Sequence, residues 1–155
     1  MTDKELETSI EKYRGMLYRL AYSMSGNHSD SEDIVQEAFI KLYTRDKPLC
    51  GEEAEKAWLI RVTANLCKNR VRLCANRRRA ELSEDIRSPA GENDEYIDLR
   101  AALKKLKPDY RAVIYMFYYE GFGTEEIAEY LGISVTAVTT RLQRGREKLK
   151  KFLEN

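Results

Sequence analysis

TEEIAEYLGISVTAVTTRLQRGREKL, residues 124–149, reads as two helices joined by a tight turn. Thr124 stands where its hydroxyl can cap the first helix by accepting from a free N–H of the opening turn. Glu125 and Glu126 follow at the end where the helix dipole favours acids. Ile127, Ala128 and Leu131 form an apolar stripe at helical spacing. Gly132 supplies the left-handed residue that ends the helix, and Ser134 can cap the next one. This is the layout of a helix-turn-helix, whose second helix enters the DNA major groove.

Unrolled at about 100° per residue, the second helix has Val135, Val138, Leu142 and Leu149 on a core-facing side. Thr136, Thr140, Gln143, Arg144 and Glu147 lie opposite, with Thr139 on one shoulder and Arg141 on the other. Hydroxyl and amide side chains beside an Arg suit base edges, and further basic residues suit phosphates. A solvated amphipathic helix carries a similar charge pattern. The capped turn and Gly132 favour the DNA-binding reading.

The chain has 155 residues, enough for one ordinary domain or two small ones. With 34% charged and 43% hydrophobic residues, only 8 Gly and 3 Pro, it is expected to be all-α. The net charge of +1 hides segregation. Between Arg61 and Arg79 lie seven bases and no acid; between Ala80 and Asp98 lie seven acids and one base, Arg87. The C-terminal end is basic again. Two basic segments around an acidic one imply two contacts with a polyanion, joined by a segment that avoids it.

Cys50, Cys67 and Cys74 make no close metal-ligand pair, and His28 is the only His, so no metal site is expected. Cys67 and Cys74, two turns apart on one helix face, read as buried thiols, with redox sensing the alternative. There is no Cys-x-x-Cys, phosphate-binding Gly loop or catalytic triad. Neither an enzyme nor a cofactor is expected. No apolar run has the length of a membrane span, and MTDKELETS does not read as a signal peptide. A cytoplasmic location is expected.

Residues 5–25 form a first helix with Ile10, Tyr13, Leu17, Leu20, Ala21 and Met24 inward. Gly26-Asn27-His28 breaks it. Ser29 and Glu32 have capping-box spacing for a second helix ending near Tyr43. That helix has a core face of Val35, Ala38, Phe39 and Leu42. Its opposite face holds Asp33, Gln36, Glu37 and Ile40. One exposed Ile usually means nothing, yet an apolar centre with a charged rim also describes a small protein interface. Arg45 to Glu53 reads as a loop, and a long helix follows from about Ala54 to Arg79. Arg61, Asn65, Lys68, Arg72 and Arg79 form one stripe on it, a candidate DNA track. Trp58, Val62, Leu66 and Leu73 lie on an adjoining face, and Ile60, Cys67, Val71 and Cys74 also look buried. Trp58 suits a core anchor better than a base-stacking role. Residues 80–95 lack a helical apolar pattern and read as a flexible acidic linker. A short helix covers about 96–105. Pro108 then opens another, with Val113, Ile114, Met116, Phe117 and Tyr118 filling a core before Gly121 and Gly123.

Three blocks in this order and spacing carry a resemblance over almost the whole chain: DSEDIVQEAFIKLY (30–43), AWLIRVTANLCKNRVR (57–72) and LKPDYRAVIYMFYYEGFGTEEIAEYLGISVTAVTTRLQRGREKLKKFL (106–153). The chain resembles the extracytoplasmic-function (ECF) sigma factors of bacterial RNA polymerase. The resemblance implies two small helical domains, 1–79 and 96–155, joined by the linker 80–95. The first would bind the clamp coiled coil of core RNA polymerase and the minus-10 promoter element. The second, with the helix-turn-helix, would bind the minus-35 element and the polymerase flap.

Carried over residue by residue, the resemblance implies clamp contacts at Asp33, Gln36 and Glu37, on the face where Ile40 stands as the candidate apolar anchor. The family's minus-10 helix matches the stripe bearing Asn65, Lys68 and Arg72, and Arg61 and Asn69 join it as candidate minus-10 contacts. Minus-35 contacts would come from Ser134, Thr136, Thr139, Thr140, Arg141, Gln143 and Arg144. The loop from Arg45 to Glu53 would capture an unstacked base. The chain departs from the family at Thr139-Thr140, where many members have Lys or Arg followed by Ser, which removes a charged contact. The resemblance also implies an anti-sigma protein that masks both domains, and promoter melting without covalent chemistry. The acidic linker is either a plain solvated tether or a nucleic-acid mimic in the polymerase cleft. An ordinary helix-turn-helix repressor or activator would explain residues 124–149. It would leave the 30–43 face and the 61–79 stripe unexplained.

Overall fold

The computed structural model describes residues 1–80 and 101–154; the side chains of residues 71 and 74–80 fall outside that description. The described residues are helical apart from their turns and loops. In order they are α1 (Asp3–Ser25), α2 (His28–Tyr43), α3 (Glu52–Ala80), a helical stretch over 101–104, α4 (Pro108–Ile114), a π-helical turn (Tyr115–Tyr119), α5 (Thr124–Leu131) and α6 (Val135–Glu154). Residues 81–95, most of the expected acidic linker, lie outside the described residues, as do residues 96–100 of the expected short helix.

α1, α2 and α3 pack on one another around Leu17, Leu20, Met24, Ile34, Leu59 and Ile60, all essentially inaccessible. Each such side chain contributes about 1.5–3 kcal/mol through removal from water. α1 starts at Asp3 rather than residue 5 because a capping box holds its end. The Thr2 hydroxyl accepts from the Glu5 N–H, and the Glu5 carboxylate accepts from the Thr2 N–H, each at 3.1 Å.

The expected cap Ser29 is not the cap of α2. Gly26 ends α1 in the left-handed region (φ 67°), leaving Asn27 alone in extended backbone before His28. Asn27 Oδ1 therefore caps the helix, accepting from the Asp30 N–H at 2.9 Å. α3 also begins earlier than expected, at Glu52. Its 29 residues span about 43 Å. That outreaches the 16 residues of α2. Its last buried residue among those described is Cys67, and Leu73, expected on a packed face, is 60% exposed.

In the C-terminal part, α4 begins at Pro108 as expected, and Val113 and Met116 are buried. Tyr118, expected in the core, is 56% exposed. It lies in the π-helical turn, where the 100° step behind the expectation no longer applies. Gly123, not Thr124, is the cap of α5: it is extended, and Thr124 is the first helical residue. Half of a capping box remains, with Glu126 Oε1 accepting from the Gly123 N–H at 3.1 Å.

Candidate nucleic-acid interface

The turn between α5 and α6 forms as its residues dictate. Gly132 takes φ 69°, a conformation that strains any L side chain. The Ile133 N–H then donates to Ala128 O at 3.0 Å and the Gly132 N–H to Glu129 O at 3.3 Å. This pattern closes the end of α5. Ser134 Oγ accepts from the Ala137 N–H at 3.0 Å and caps α6. Ile127 and Ala128 of α5, with Val138 and Leu142 of α6, fill the core between the two helices.

The reading face of α6 is open. Ser134, Thr136, Thr139, Gln143 and Arg144 are exposed; Arg141 on the shoulder is half-buried, and so is Thr140, which was expected on the open side. The Thr139 hydroxyl donates back to Thr136 O at 3.0 Å. Val135, expected inward, is 42% exposed, because a side chain at the first helical position hangs over the preceding turn. Sequence reasoning missed Arg146, whose guanidinium donates to Leu142 O and to the Tyr118 hydroxyl. Gly145, also missed, is buried against Ile114: a Cβ there would lie 2.7 Å from Ile114 Cδ1.

On α3, Arg61, Asn65, Asn69 and Arg72 are exposed and Lys68 is half-buried. Two members of this stripe are engaged by the C-terminal part. Arg61 Nη2 donates to Glu129 O, a last-turn carbonyl of α5, at 2.7 Å. A cation at that end suits the helix dipole. Lys68 Nζ lies 3.2 Å from Asp109 Oδ1 in the first turn of α4. Neighbouring contacts unannounced by the sequence join in. Arg19 of α1 bonds Glu120 at 3.0 Å and the Tyr115 hydroxyl at 3.2 Å, and Tyr115 donates to the same Glu120 carboxylate. Burial, and then that hydrogen bond, raise the Tyr115 pKa above its ordinary value. The Lys56 ammonium sits over Phe122 and Tyr130.

The α2 face carries Asp33, Gln36, Glu37 and Ile40, all exposed, with Ile40 at 56%. The structure places Gln36 and Ile40 on the edge of a groove of about 510 Å³ between α1 and α2. Leu6, Ile10, Tyr18 and Phe39 give it an apolar lining. Asp33 stands apart, 3.5 Å from Arg70 of α3. The α1 side of this groove was missed, because Ile10 reads as a core residue on a helical wheel.

The 45–51 loop borders a second cavity, of about 590 Å³, reached by Arg45, Pro48, Tyr13 and Ser9. Arg45 stacks over Trp58 with its guanidinium carbon 4.9 Å from the ring centre. Trp58 packs against the core from a half-buried position. No helix among the described residues is long and apolar enough to cross a membrane, and no group of His, Cys, Asp and Glu among them is arranged to hold a metal ion.

Residues 9–78 match the family described as Sigma-70 region 2, and residues 96–149 match Sigma-70, region 4. The chain is 37% identical over 154 residues to the ECF RNA polymerase sigma factor SigE of Mycolicibacterium smegmatis, covering 93% of this chain and 60% of that protein. It is 30% identical over 163 residues to the ECF RNA polymerase sigma factor SigW of Bacillus subtilis, covering 94% of this chain and 87% of that protein. Among solved structures, it is similar to the sigma factor RpoE in complex with the anti-sigma factor NepR from Bartonella quintana. There the TM-score is 0.74 at 24% identity, over 97% of this chain and 98% of that one. It is also similar to CnrH in complex with the cytosolic domain of CnrY, with a TM-score of 0.67 at 25% identity, over 99% and 90% of the two chains.

Proposed function

Because the chain belongs to the ECF sigma factors of RNA polymerase, we propose that it directs core polymerase to promoters by two separate DNA contacts and one clamp contact. In this reading domain 1–79 holds the polymerase clamp and the minus-10 element, and domain 96–155 holds the minus-35 element and the flap. Residues 80–95 tether them. The chain works in the cytoplasm, without catalysis and without a cofactor. An anti-sigma protein is a further partner, as the NepR and CnrY complexes illustrate for the related structures.

The observation that carries this reading is the coexistence of three exposed faces: the α6 face at Thr136, Gln143 and Arg144, the α3 stripe, and Ile40 beside an apolar groove. A helix-turn-helix repressor needs only the first. On the reading helix, Gln143 and Arg144 are suited to paired bonds with base edges, while Arg141 on its flank suits a phosphate. On α3, Lys68 and Arg72 attract phosphates by counterion release, and Asn65 and Asn69 reach unpaired bases. The cavity beside the 45–51 loop offers a place for an unstacked base, whose extrusion costs a few kcal/mol.

Copurification tests the reading. Purified chain mixed with core polymerase is expected to elute with it from a sizing column and to confer binding to double-stranded promoter fragments. Binding to DNA alone, with no association with core polymerase, would instead identify a simple repressor or activator.

A further inference from the structure

The Thr139 side chain is exposed in the first half of the reading helix, but its hydroxyl is already in use. It donates to Thr136 O, three residues back, at 3.0 Å. A threonine hydroxyl has one proton and two lone pairs. With the proton committed to the backbone of its own helix, two features remain for a partner in the groove: the γ-methyl and an acceptor lone pair. Donating to a base instead would exchange one hydrogen bond for another and so gain little. The position is one that meets base edges, because a helix-turn-helix sets the N-terminal residues of its second helix against them. Thr139 is the fifth residue of α6, shortly after the Ser134 cap whose Oγ holds the Ala137 N–H.

We propose that Thr139 selects an A·T pair in the minus-35 element and reads it by apolar contact with the thymine methyl. The inference rests on the assignment of α6 to minus-35 DNA given above. In the major groove guanine shows two acceptors, N7 and O6. They would meet only the oxygen lone pairs of Thr139, and like partial charges repel. An A·T pair offers both things the side chain can use, the C5-methyl of thymine and the amino hydrogen of adenine. Gln143 supports the same choice. It is exposed four residues on, one turn along the helix, a spacing that sets Cβ atoms about 5–6 Å apart. Base pairs follow one another at about 3.4 Å, so the two side chains address one pair or close neighbours. A glutamine amide makes paired bonds to adenine N6 and N7. Removing one methyl group from water in such a contact changes preference by about fourfold.

Transcription by core polymerase plus the full chain, from templates with a randomised minus-35 element, tests the choice. Preference is read as a ratio of base pairs within each variant, so differences in total output do not enter. Thr139→Ser keeps the hydroxyl and removes the methyl; Thr139→Val keeps a methyl and removes the hydroxyl. The parent is expected to favour one A·T pair, whose advantage survives in Thr139→Val and falls about fourfold in Thr139→Ser. Deoxyuridine in place of thymine at that pair removes only the C5-methyl. It is expected to cost the parent and Thr139→Val about fourfold against thymine, and Thr139→Ser nothing.

An advantage kept by Thr139→Ser and lost by Thr139→Val would assign the reading to the hydroxyl and overturn the proposal. Indifference of the parent to deoxyuridine at every thymine of the element would overturn it too, as would a G·C pair at the position that Thr139→Ser alters. Gln143→Ala separates these failures from failure of the underlying assignment. If it changes the base profile while the Thr139 variants do not, α6 still reads minus-35 DNA and the Thr139 contact alone is rejected. If neither residue's variants change the profile, the assignment of α6 falls as well.

Discussion

The thiol of Cys67 is sealed in the N-terminal core, and burial pushes its pKa up to about 12. A thiol that ionises so late is a poor nucleophile at neutral pH. Iodoacetamide is expected to label the exposed Cys50 in the folded chain and Cys67 only after denaturation. Labelling of native Cys67 at the rate of Cys50 would place it outside the core. The raised pKa also has a stability consequence. The contribution of the neutral thiol is complete below the ordinary value near 9 and drains away as pH rises towards 12. Alkaline unfolding should therefore be measurably shallower in Cys67→Ala once its general loss of stability is subtracted.

Gly145 is the second residue with a sharp expectation. With Ile114 Cδ1 2.7 Å from the site of a Cβ, Gly145→Leu must push α4 and α6 apart. Overpacking of this kind costs about 1–3 kcal/mol. Urea unfolding of the variant should show a lower midpoint; an unchanged midpoint would mean that α4 yields freely. Both residues show what is legible locally. Gly132 and Ser134 were readable because a left-handed glycine and an N-cap depend only on their neighbours. Gly145 was silent in the sequence because its role depends on a helix thirty residues earlier.

At the level of elements, helical periodicity found Tyr13, Leu17, Leu20, Ala21 and Met24 of the α1 core face and Val35, Ala38, Phe39 and Leu42 of the α2 core face, without the equally buried Ile34, and Pro108 marked the start of α4. Periodicity failed where a helix outruns its neighbours, as at Leu73, or changes pitch, as at Tyr118. The proposed clamp contact belongs to this scale. Ile40 lies beside the α1–α2 groove and is not in the core, so Ile40→Glu should leave the circular dichroism of the chain unchanged. Loss of such an anchor is expected to weaken core-polymerase binding by about 1–2 kcal/mol or more. Equal binding by parent and variant would locate the interface elsewhere.

The reading helix allows a comparable experiment. Gln143 is exposed at the middle of the open face and Arg141 is half-buried at its edge. Loss of a base contact costs about 1–3 kcal/mol at one base pair, whereas loss of a phosphate contact weakens all sequences alike. In a transcribed library of randomised minus-35 elements, Gln143→Ala should flatten preference at one position. Arg141→Ala should lower output uniformly. The reverse assignment of the two effects would mean that α6 is rotated on DNA relative to the reading proposed for it.

For the whole molecule, the two-part helical organisation was readable from three sequence blocks and the charge run between them. How the parts meet was not. The seam is built from Arg19, Lys56, Arg61 and Lys68, which look like solvent-facing charges along their own helices. One of its acceptors is a backbone carbonyl, Glu129 O, which no residue pattern announces. Burial, and after it the nearby Glu53, push the Tyr130 hydroxyl pKa up to about 12, so it keeps the proton that it donates to Glu53 well into the alkaline range. The same surfaces that would hold promoter DNA thus also hold the chain together. Whether those surfaces select promoters is answered most directly by transcription from fragmented genomic DNA with core polymerase, with and without this chain, followed by sequencing of transcript 5′ ends. New start sites that share two upstream sequence elements at a fixed spacing are expected, and their loss with Ile40→Glu. A transcript profile identical to that of core polymerase alone would contradict promoter selection by this chain.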